Sequence, residues 1–257
     1  MIYCIFHKGS GLGNQLHRYV AVRALALDKG YNFSVIAPEL FKGKYFMDLD
    51  MGIPNKIELQ LEEPAGKLVP TLGYLDDLTP PVWEEWGKQV YDPDFNFVED
   101  NTILDGNFED PKYFEHRMTE IKDWLKTKPL IFPDNVCIIG FRGGEYYTVP
   151  ELGLPKEYYD RAIQEMLKIN PDMQFEVHTD DPQLAEKFFP DYPIIRNVDV
   201  NWRATRYAKY AIIANSSFYV LPRLMNGGTT IAPRYWNRYN TKKWDYPQSY
   251  YKQFTYI

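Results

Sequence analysis

Ile2-Tyr3-Cys4-Ile5-Phe6, followed after two residues by Gly9-Ser10-Gly11-Leu12-Gly13-Asn14-Gln15, is the stretch whose reading decides the fold. The first run is apolar and short, as a buried strand is. The second turns on glycines, and from Asn14 the apolar residues Leu16, Tyr19, Val20, Ala24 and Leu27 recur at helical spacing. The spacing predicts a strand over 2–6, a helix over 14–29 stopped by Gly30 as its C-cap, and a second strand over 33–36. Strand, helix, strand is the βαβ unit of a parallel sheet. A glycine turn from strand into helix also leaves backbone N–H groups at a helix N-terminus, where the dipole favours an anion such as a diphosphate. The same turn occurs where only tight packing is needed.

Outward from this unit, residues 38–101 lose periodicity. Prolines, glycines and acidic residues break up short apolar runs, with Pro80-Pro81 as a clear interruption. Irregular structure with a few short strands is expected, either as an acceptor-binding region or as a decorative insertion. Regular patterning returns with a strand over 102–105, a loop over 106–111 and a helix over 112–126. Pro129 and Pro133 then flank a boundary, so the chain divides into 1–132 and 133–257. The second block reads as strand 136–141, helix 156–169, strand 174–179, helix 182–188, strand 194–196, helix 201–210, strand 211–214, helix 217–226 and strand 229–232. Alternation of this kind calls for a second parallel sheet. The fold class is α/β, with two Rossmann-like units and a crevice between them.

Composition bounds the function. A chain of 257 residues with 45% hydrophobic content can bury a core, and a net charge of −6 argues against a general nucleic-acid binder. Its 21 Tyr, 15 Phe and 6 Trp fill a core or line a carbohydrate or nucleotide cleft. Cys4 and Cys137 fall inside buried strands and form neither a disulfide framework nor a zinc pattern. The absence of a signal peptide or apolar span predicts a soluble, cytoplasmic protein.

Chemistry collects at strand ends. Arg142 follows the 136–141 strand and precedes Gly143-Gly144-Glu145-Tyr146. There it projects toward the ligand crevice of a parallel sheet, and its guanidinium fork suits a diphosphate. A salt bridge to Glu145 is the alternative, and Glu145 itself is a general-base candidate or merely that partner. Asp180 and Asp181 end the 174–179 strand beyond His178. A strand end of this kind often faces a ligand, yet one of the two is expected to cap the helix that opens at Pro182, which leaves the role of the other open. Asn215-Ser216-Ser217 lies between a strand and a helix, where it either binds an anion or caps the helix. No third ligand at local spacing suggests a metal site with Asp180 and Asp181.

Taken together, these segments resemble glycosyltransferase family 11, the α-1,2-fucosyltransferases, within the fucosyltransferase superfamily. Gly11-Leu12-Gly13-Asn14-Gln15-Leu16 looks like the family's G-L-G-N-Q opening. The segment from Leu104 through Asp105, Gly106, Asn107 and Phe108 to Phe114 is similar to its G-Y-F-Q-S-x-K-Y-F stretch. Phe141-Arg142-Gly143-Gly144-Glu145-Tyr146 occupies the place of its H-x-R-R-G-D-Y motif, and Leu154-Pro155-Lys156 that of the helix start that follows. Phe175 to Asp181 is similar to the F-S-D-D strand end. Ile213-Ala214-Asn215-Ser216-Ser217-Phe218 is similar to I-A-N-S-S/T-F, and Ile231-Ala232-Pro233 through Trp236 to the closing I-A-P-x-x-W.

The resemblance implies a GT-B-like architecture, with a GDP-sugar donor in the C-terminal half and a saccharide acceptor on the N-terminal half. It implies inversion at the anomeric carbon, no metal and no other cofactor. Arg142 would stabilise the leaving diphosphate, with Glu145 as a candidate base. Gly11, Gly13, Asn14, Asp180, Asn215, Ser216, Ser217 and Phe218 would hold the donor. With no membrane anchor, a bacterial or viral origin and a role in glycan biosynthesis would fit.

Several positions depart from the pattern. The family's His is Gly140 here, its second Arg is Gly143 and its Asp is Glu145. Its Ser-Trp-Trp is Tyr219-Val220-Leu221, followed by Pro222-Arg223. Arg203 or Arg206 is expected to replace the charge lost at Gly143. These departures keep open a transferase that uses another nucleotide sugar, or a non-catalytic nucleotide- or carbohydrate-binding protein.

Overall fold

The computed structural model describes residues 1–62, 67–72, 80–84, 90–235, 240 and 251–257. The chain divides into two compact units, Met1–Lys126 and Thr127–Ile257. Each is an α/β unit built on a parallel sheet, the fold class expected from the sequence.

In the first unit, β1 (Ile2–Ile5) leads into α1 (Leu12–Lys29), and β2 (Phe33–Ile36) returns parallel to β1. Gly30 ends α1 in the left-handed region, φ 65°, with its N–H on the carbonyls of Ala26 and Leu27, a conformation that costs glycine nothing. Then comes an antiparallel hairpin of β3 (Ile57–Glu62) and β4 (Lys67–Leu72). It is followed by β5 (Val82–Glu84) and β6 (Thr102–Asp105). The parallel sheet has the order β2-β1-β6-β5. Residues 63–66, 73–79 and 85–89 of the irregular stretch lie outside the described residues.

The helix expected over 112–126 is shorter than its pattern. Two 3₁₀ turns, Pro111–Tyr113 and Glu115–Arg117, precede α2 (Met118–Trp124). Asp110 accepts the Lys112 N–H at 3.0 Å, and Phe114 leaves helical geometry at φ −149°. Tyr113 and Phe114 are both buried, and the break at Phe114 separates the two 3₁₀ turns.

The second unit runs through β7 (Val136–Phe141), α3 (Lys156–Ile169), β8 (Gln174–Thr179), α4 (Pro182–Phe188), β9 (Ile194–Ile195) and α5 (Val198–Tyr207). It continues with β10 (Tyr210–Ile212), α6 (Ser217–Asn226), β11 (Thr229–Ala232) and β12 (Thr255–Tyr256). The sheet order is β12-β11-β10-β7-β8-β9, every neighbouring pair parallel. All six residues of β7 are buried, as an interior strand covered on both faces must be. The helix expected over 201–210 begins three residues earlier, because the Asn197 side chain accepts the Val200 N–H at 3.0 Å and caps it. It ends where Ala208 turns extended, which moves β10 forward by one residue.

Many of the abundant aromatics pack inward, although Tyr45 and Phe97 are exposed. Trp83, Phe95, Phe108 and Tyr113 contact one another in the first unit, and Phe141, Tyr147, Tyr159, Phe188 and Phe189 do so in the second. Phe108 holds φ +49° while fully buried, a left-handed state that costs a bulky residue about 1–2 kcal/mol. Its ring contacts offset that strain.

One buried group couples this core to pH. His17 on α1 lies 2.9 Å through Nδ1 from the Gly13 carbonyl, which therefore accepts Nδ1–H, while Nε2 is buried with no hydrogen-bond partner among the described residues. Burial, partly countered by the Gly13 bond, lowers its pKa from 6.5 to about 4. The folded state thus resists a proton that the unfolded chain accepts. Stability is full above pH 6.5 and is lost as pH falls toward 4, by at most roughly 3 kcal/mol. Urea unfolding at stepped pH values should show this slope in the wild type and a shallower one in His17→Phe; equal slopes would exclude the assignment.

Candidate functional site

A parallel sheet presents ligands at the carboxyl ends of its strands, above all where the strand order reverses. In the second unit the chain leaves β7 through α3 toward β8 on one side, and β10 lies on the other. The reversal falls between β7 and β10. Arg142 is the residue directly beyond β7, and Asn215-Ser216-Ser217 lies just beyond β10 at the start of α6.

Arg142 is tightly framed. Its Nη1 donates to Asp180 and its Nη2 to Glu145 Oε1 at 2.8 Å. Its guanidinium carbon lies 5.2 Å from the centre of the Tyr146 ring, within cation–π range. The Tyr146 hydroxyl in turn donates to the Asn215 carbonyl at 3.4 Å, which ties the β7 loop to the β10 loop. Burial works against the guanidinium's charge, yet Asp180 foremost, with Tyr146, Tyr219 and Glu145, raises its pKa above the ordinary arginine value. Glu145 is 72% exposed in its side chain, so the Arg142 contact is its visible role.

The two aspartates divide their work. Asp181 is the cap: its Oδ1 accepts the Leu184 N–H at 3.1 Å and its Oδ2 the Gly144 N–H at 3.1 Å. Asp180 does not cap; its carboxylate holds Arg142 and accepts the Gly143 N–H at 2.8 Å. Ser216 occupies the N-cap of α6 without a side-chain cap bond. Ser217 and Phe218 form the helix's first turn, where N–H groups lack partners within the helix. Asn215 donates through Nδ2 to the Leu152 carbonyl at 3.0 Å.

The departures from the family pattern have structural reasons. A Cβ on Gly140 would lie 2.6 Å from Cε1 of Tyr219. The Tyr219 ring fills the room that a side chain at 140 would need. A Cβ on Gly143 would lie 2.4 Å from the Asp181 Cβ, and this close approach excludes the arginine the family carries there. Gly144 takes φ +54° to complete the turn. Gly140→Ala is expected to cost about 1–3 kcal/mol by overpacking. Combined with Tyr219→Ala it should cost less than the sum of the single changes by about 1 kcal/mol. Urea denaturation of the four proteins measures this, and additive losses would contradict it.

Neither arginine expected to replace the missing charge is placed for that role. Arg206 lies at the C-terminal end of α5, just before β10, and so at the amino ends of the strands, opposite Arg142. Arg203 is paired with Asp199 through both carboxylate oxygens and reaches the Lys128 carbonyl. The segment's requirement was structural: α5 has to pack on β7 and α6.

In the first unit the strand order also reverses, between β1 and β6. Gly11 is the N-cap of α1 at φ −68°, and a Cβ there would meet nothing within 4 Å. Backbone geometry does not require its glycine. Gly13 lies in the first turn, and Asn14 donates to Asn107 beyond β6 at 3.3 Å. Beside them is a group that the sequence reading missed. His7 Nε2 is 2.8 and 2.9 Å from the two Asp105 oxygens, and the buried Arg18 guanidinium is 3.5 Å from Oδ1. The rule that singles out Arg142, an ionisable side chain at the carboxyl end of a buried parallel strand, applies equally to His7 and Asp105.

Among the described residues, no group of three or more His, Cys, Asp or Glu is placed to hold a metal ion. No helix among them is long and apolar enough to cross a membrane. Trp236 of the closing segment lies outside the described residues.

No protein-family model matches the chain, and no curated protein does. Among solved structures, the chain is similar to the NodZ α-1,6-fucosyltransferase soaked with GDP-fucose. The identity is 14% and the TM-score 0.49, over 87% of this chain and 91% of that one. It is likewise similar to the fucosyltransferase NodZ from Bradyrhizobium, at 12% identity and a TM-score of 0.49, over 87% of this chain and 92% of that one. The NodZ enzyme co-crystallised with GDP matches at 12% identity and a TM-score of 0.46, over 87% and 91% of the two chains.

Proposed function

We propose that this chain is an inverting glycosyltransferase of the α-1,2-fucosyltransferase-like kind, which transfers fucose from GDP-fucose to a saccharide hydroxyl without a metal. The observation that carries this reading is Arg142 beyond β7 beside Asn215–Ser217 beyond β10, at the reversal in strand order. The order of the motifs from Gly11 to Pro233 supports the donor's identity.

In the transfer, the acceptor oxygen attacks the anomeric carbon as the bond to the diphosphate breaks. The departing GDP gains negative charge, so groups that meet that charge lower the barrier. Arg142 supplies a fixed positive charge, and the first-turn N–H groups of α6 supply oriented donors. Glu145, the more exposed of the two carboxylates on Arg142, is the one that an incoming diphosphate would displace. Gly11 leaves open space at the start of α1, which suits close approach of a sugar or phosphate.

Calorimetric titration with GDP, GDP-fucose, GDP-mannose and a UDP-sugar, all in EDTA, tests this. GDP and GDP-fucose should bind, and the UDP-sugar should not. A preference for another nucleotide would replace the donor assignment, and no nucleotide binding at all would overturn the reading.

A further inference from the structure

Beyond the carboxyl ends of β1 and β2, on the side where parallel sheets take ligands, the first unit holds a cavity of about 680 Å³. That volume lies in the range of small-molecule sites. Every residue that lines it belongs to Met1–Lys126. Lys8 enters it from the loop after β1, residues 37–40 from the turn after β2, and residues 51–55 from the segment that leads into β3.

Its walls are fixed by the chain's own hydrogen bonds. The Met51 carbonyl accepts the Val35 N–H at 3.0 Å, and the Phe33 carbonyl accepts the Ile53 N–H at 2.8 Å. Asn55 donates to the Ser34 hydroxyl at 2.7 Å and to the Val35 carbonyl at 2.8 Å, and its Oδ1 accepts the Ile57 N–H at 3.0 Å. Across the cavity, the buried Gln15 donates to the Leu40 carbonyl at 2.9 Å and accepts the Lys42 N–H at 2.9 Å. Ala37 takes φ 55° and ψ 53° at the start of that turn, a left-handed state that costs an L-residue about 1–2 kcal/mol. Strain of this kind gathers at ligand clamps.

The charges in the cavity select the ligand. Val35, Leu40, Met51, Ile53 and Ile57 give it an aliphatic surface, and Asn55 is fully engaged in the wall. The Lys8 ammonium and the Glu39 carboxylate are different: neither makes a hydrogen bond or ion pair among the described residues. They do not neutralise each other, and a ligand of either net charge would gain one attraction at the cost of one repulsion. An uncharged ligand that both donates and accepts satisfies the two. A sugar does so, because each hydroxyl accepts from an ammonium and donates to a carboxylate, while its C–H faces cover aliphatic side chains.

We propose that this cavity is a saccharide subsite of the first unit, where an uncharged sugar accepts from Lys8 and donates to Glu39. The assignment of a sugar, rather than another neutral polyol, rests on the transfer reading above. It deepens that reading by naming where the first unit holds a glycan.

The test follows the labelled methyl groups of the full chain by NMR as lactose, cellobiose or N-acetyllactosamine is added. Shifts should be confined to Val35, Leu40, Met51, Ile53 and Ile57 and should saturate with a Kd of about 1 mM, that of a weak ligand. Lys8→Ala and Glu39→Ala should each weaken binding about tenfold, the effect of losing a hydrogen bond to a charged group. The remaining methyl signals should stay in place, since neither side chain has a partner to lose. Ile53→Trp, at a position 43% exposed, should fill the opening and abolish the shifts. No shift from any of the three sugars, or shifts unchanged in both alanine variants, would overturn the proposal. Larger shifts from a zwitterion such as γ-aminobutyrate would overturn the ligand class. GDP binding without sugar binding would remove this subsite and leave the donor reading standing. Sugar binding without GDP binding would remove the donor reading and leave the cavity as a carbohydrate site.

Discussion

Arg142→Ala is expected to reduce GDP-fucose turnover by about 10²–10³-fold, the cost of removing one preorganised charge at a leaving group. The side chain is held in place before any ligand arrives. Asp180 and Glu145 bind its two terminal nitrogens and the Tyr146 ring lies beneath it. The same framing explains why lysine should not substitute: an ammonium is a single point, with no planar fork to span two carboxylates or two phosphate oxygens. Arg142→Lys should therefore recover less than about a tenth of the lost rate. Stability should change little, since ion pairs this exposed contribute about 0–1 kcal/mol. GDP release measured beside thermal unfolding separates the two effects. Turnover within about threefold of wild type, in a variant that still folds, would remove Arg142 from the transfer.

The largest effect on folding is expected at Arg223. This residue is fully buried on α6 and pairs with no carboxylate among the described residues. Its Nε donates to the Thr230 hydroxyl at 2.7 Å, Nη1 to the carbonyls of Ala208 and Thr205 at 2.7 and 3.2 Å, and Nη2 to the Thr229 carbonyl at 3.0 Å. One side chain thus ties the end of α5 to the loop before β10 and to β11. Burial lowers its pKa to about 10, so it remains charged at neutral pH and every donor is needed. Arg223→Met keeps the volume but leaves several buried carbonyls without a donor, at about 1–3 kcal/mol each. A loss of about 3–5 kcal/mol is expected in urea unfolding, a large part of a domain's whole stability. A loss below about 1 kcal/mol would mean that water enters to replace the guanidinium.

The Pro222-Arg223 pair is thus a structural feature, although from the sequence it stood out only as a departure. The converse holds at the strand ends. The strand expected over 136–141 and the helix over 156–169 match β7 and α3. Their apolar runs and helical spacing are local signals, and flanking proline or glycine punctuates them. That one of Asp180 and Asp181 caps the next helix was legible, but not which of them does so. That choice depends on where Arg142 and the Gly143-Gly144 backbone come to lie.

Local pattern was enough to establish the class of this protein. Periodicities of two kinds, buried strand runs and glycine turns made it α/β with parallel sheets, and put Arg142 and Asn215–Ser217 at strand ends. These properties depend on residues within a few positions of one another, where backbone sterics and hydrophobic spacing act directly. Strand order depends on pairings between segments tens of residues apart, which burial of both sheet faces selects and no local spacing encodes. The tertiary structure alone sets β1 beside β6 and β7 beside β10. It thereby joins His7 to Asp105, brings the Tyr219 ring over Gly140 and places Arg206 on the far edge from Arg142. A pair of side chains acts together only when packing holds them a few ångströms apart.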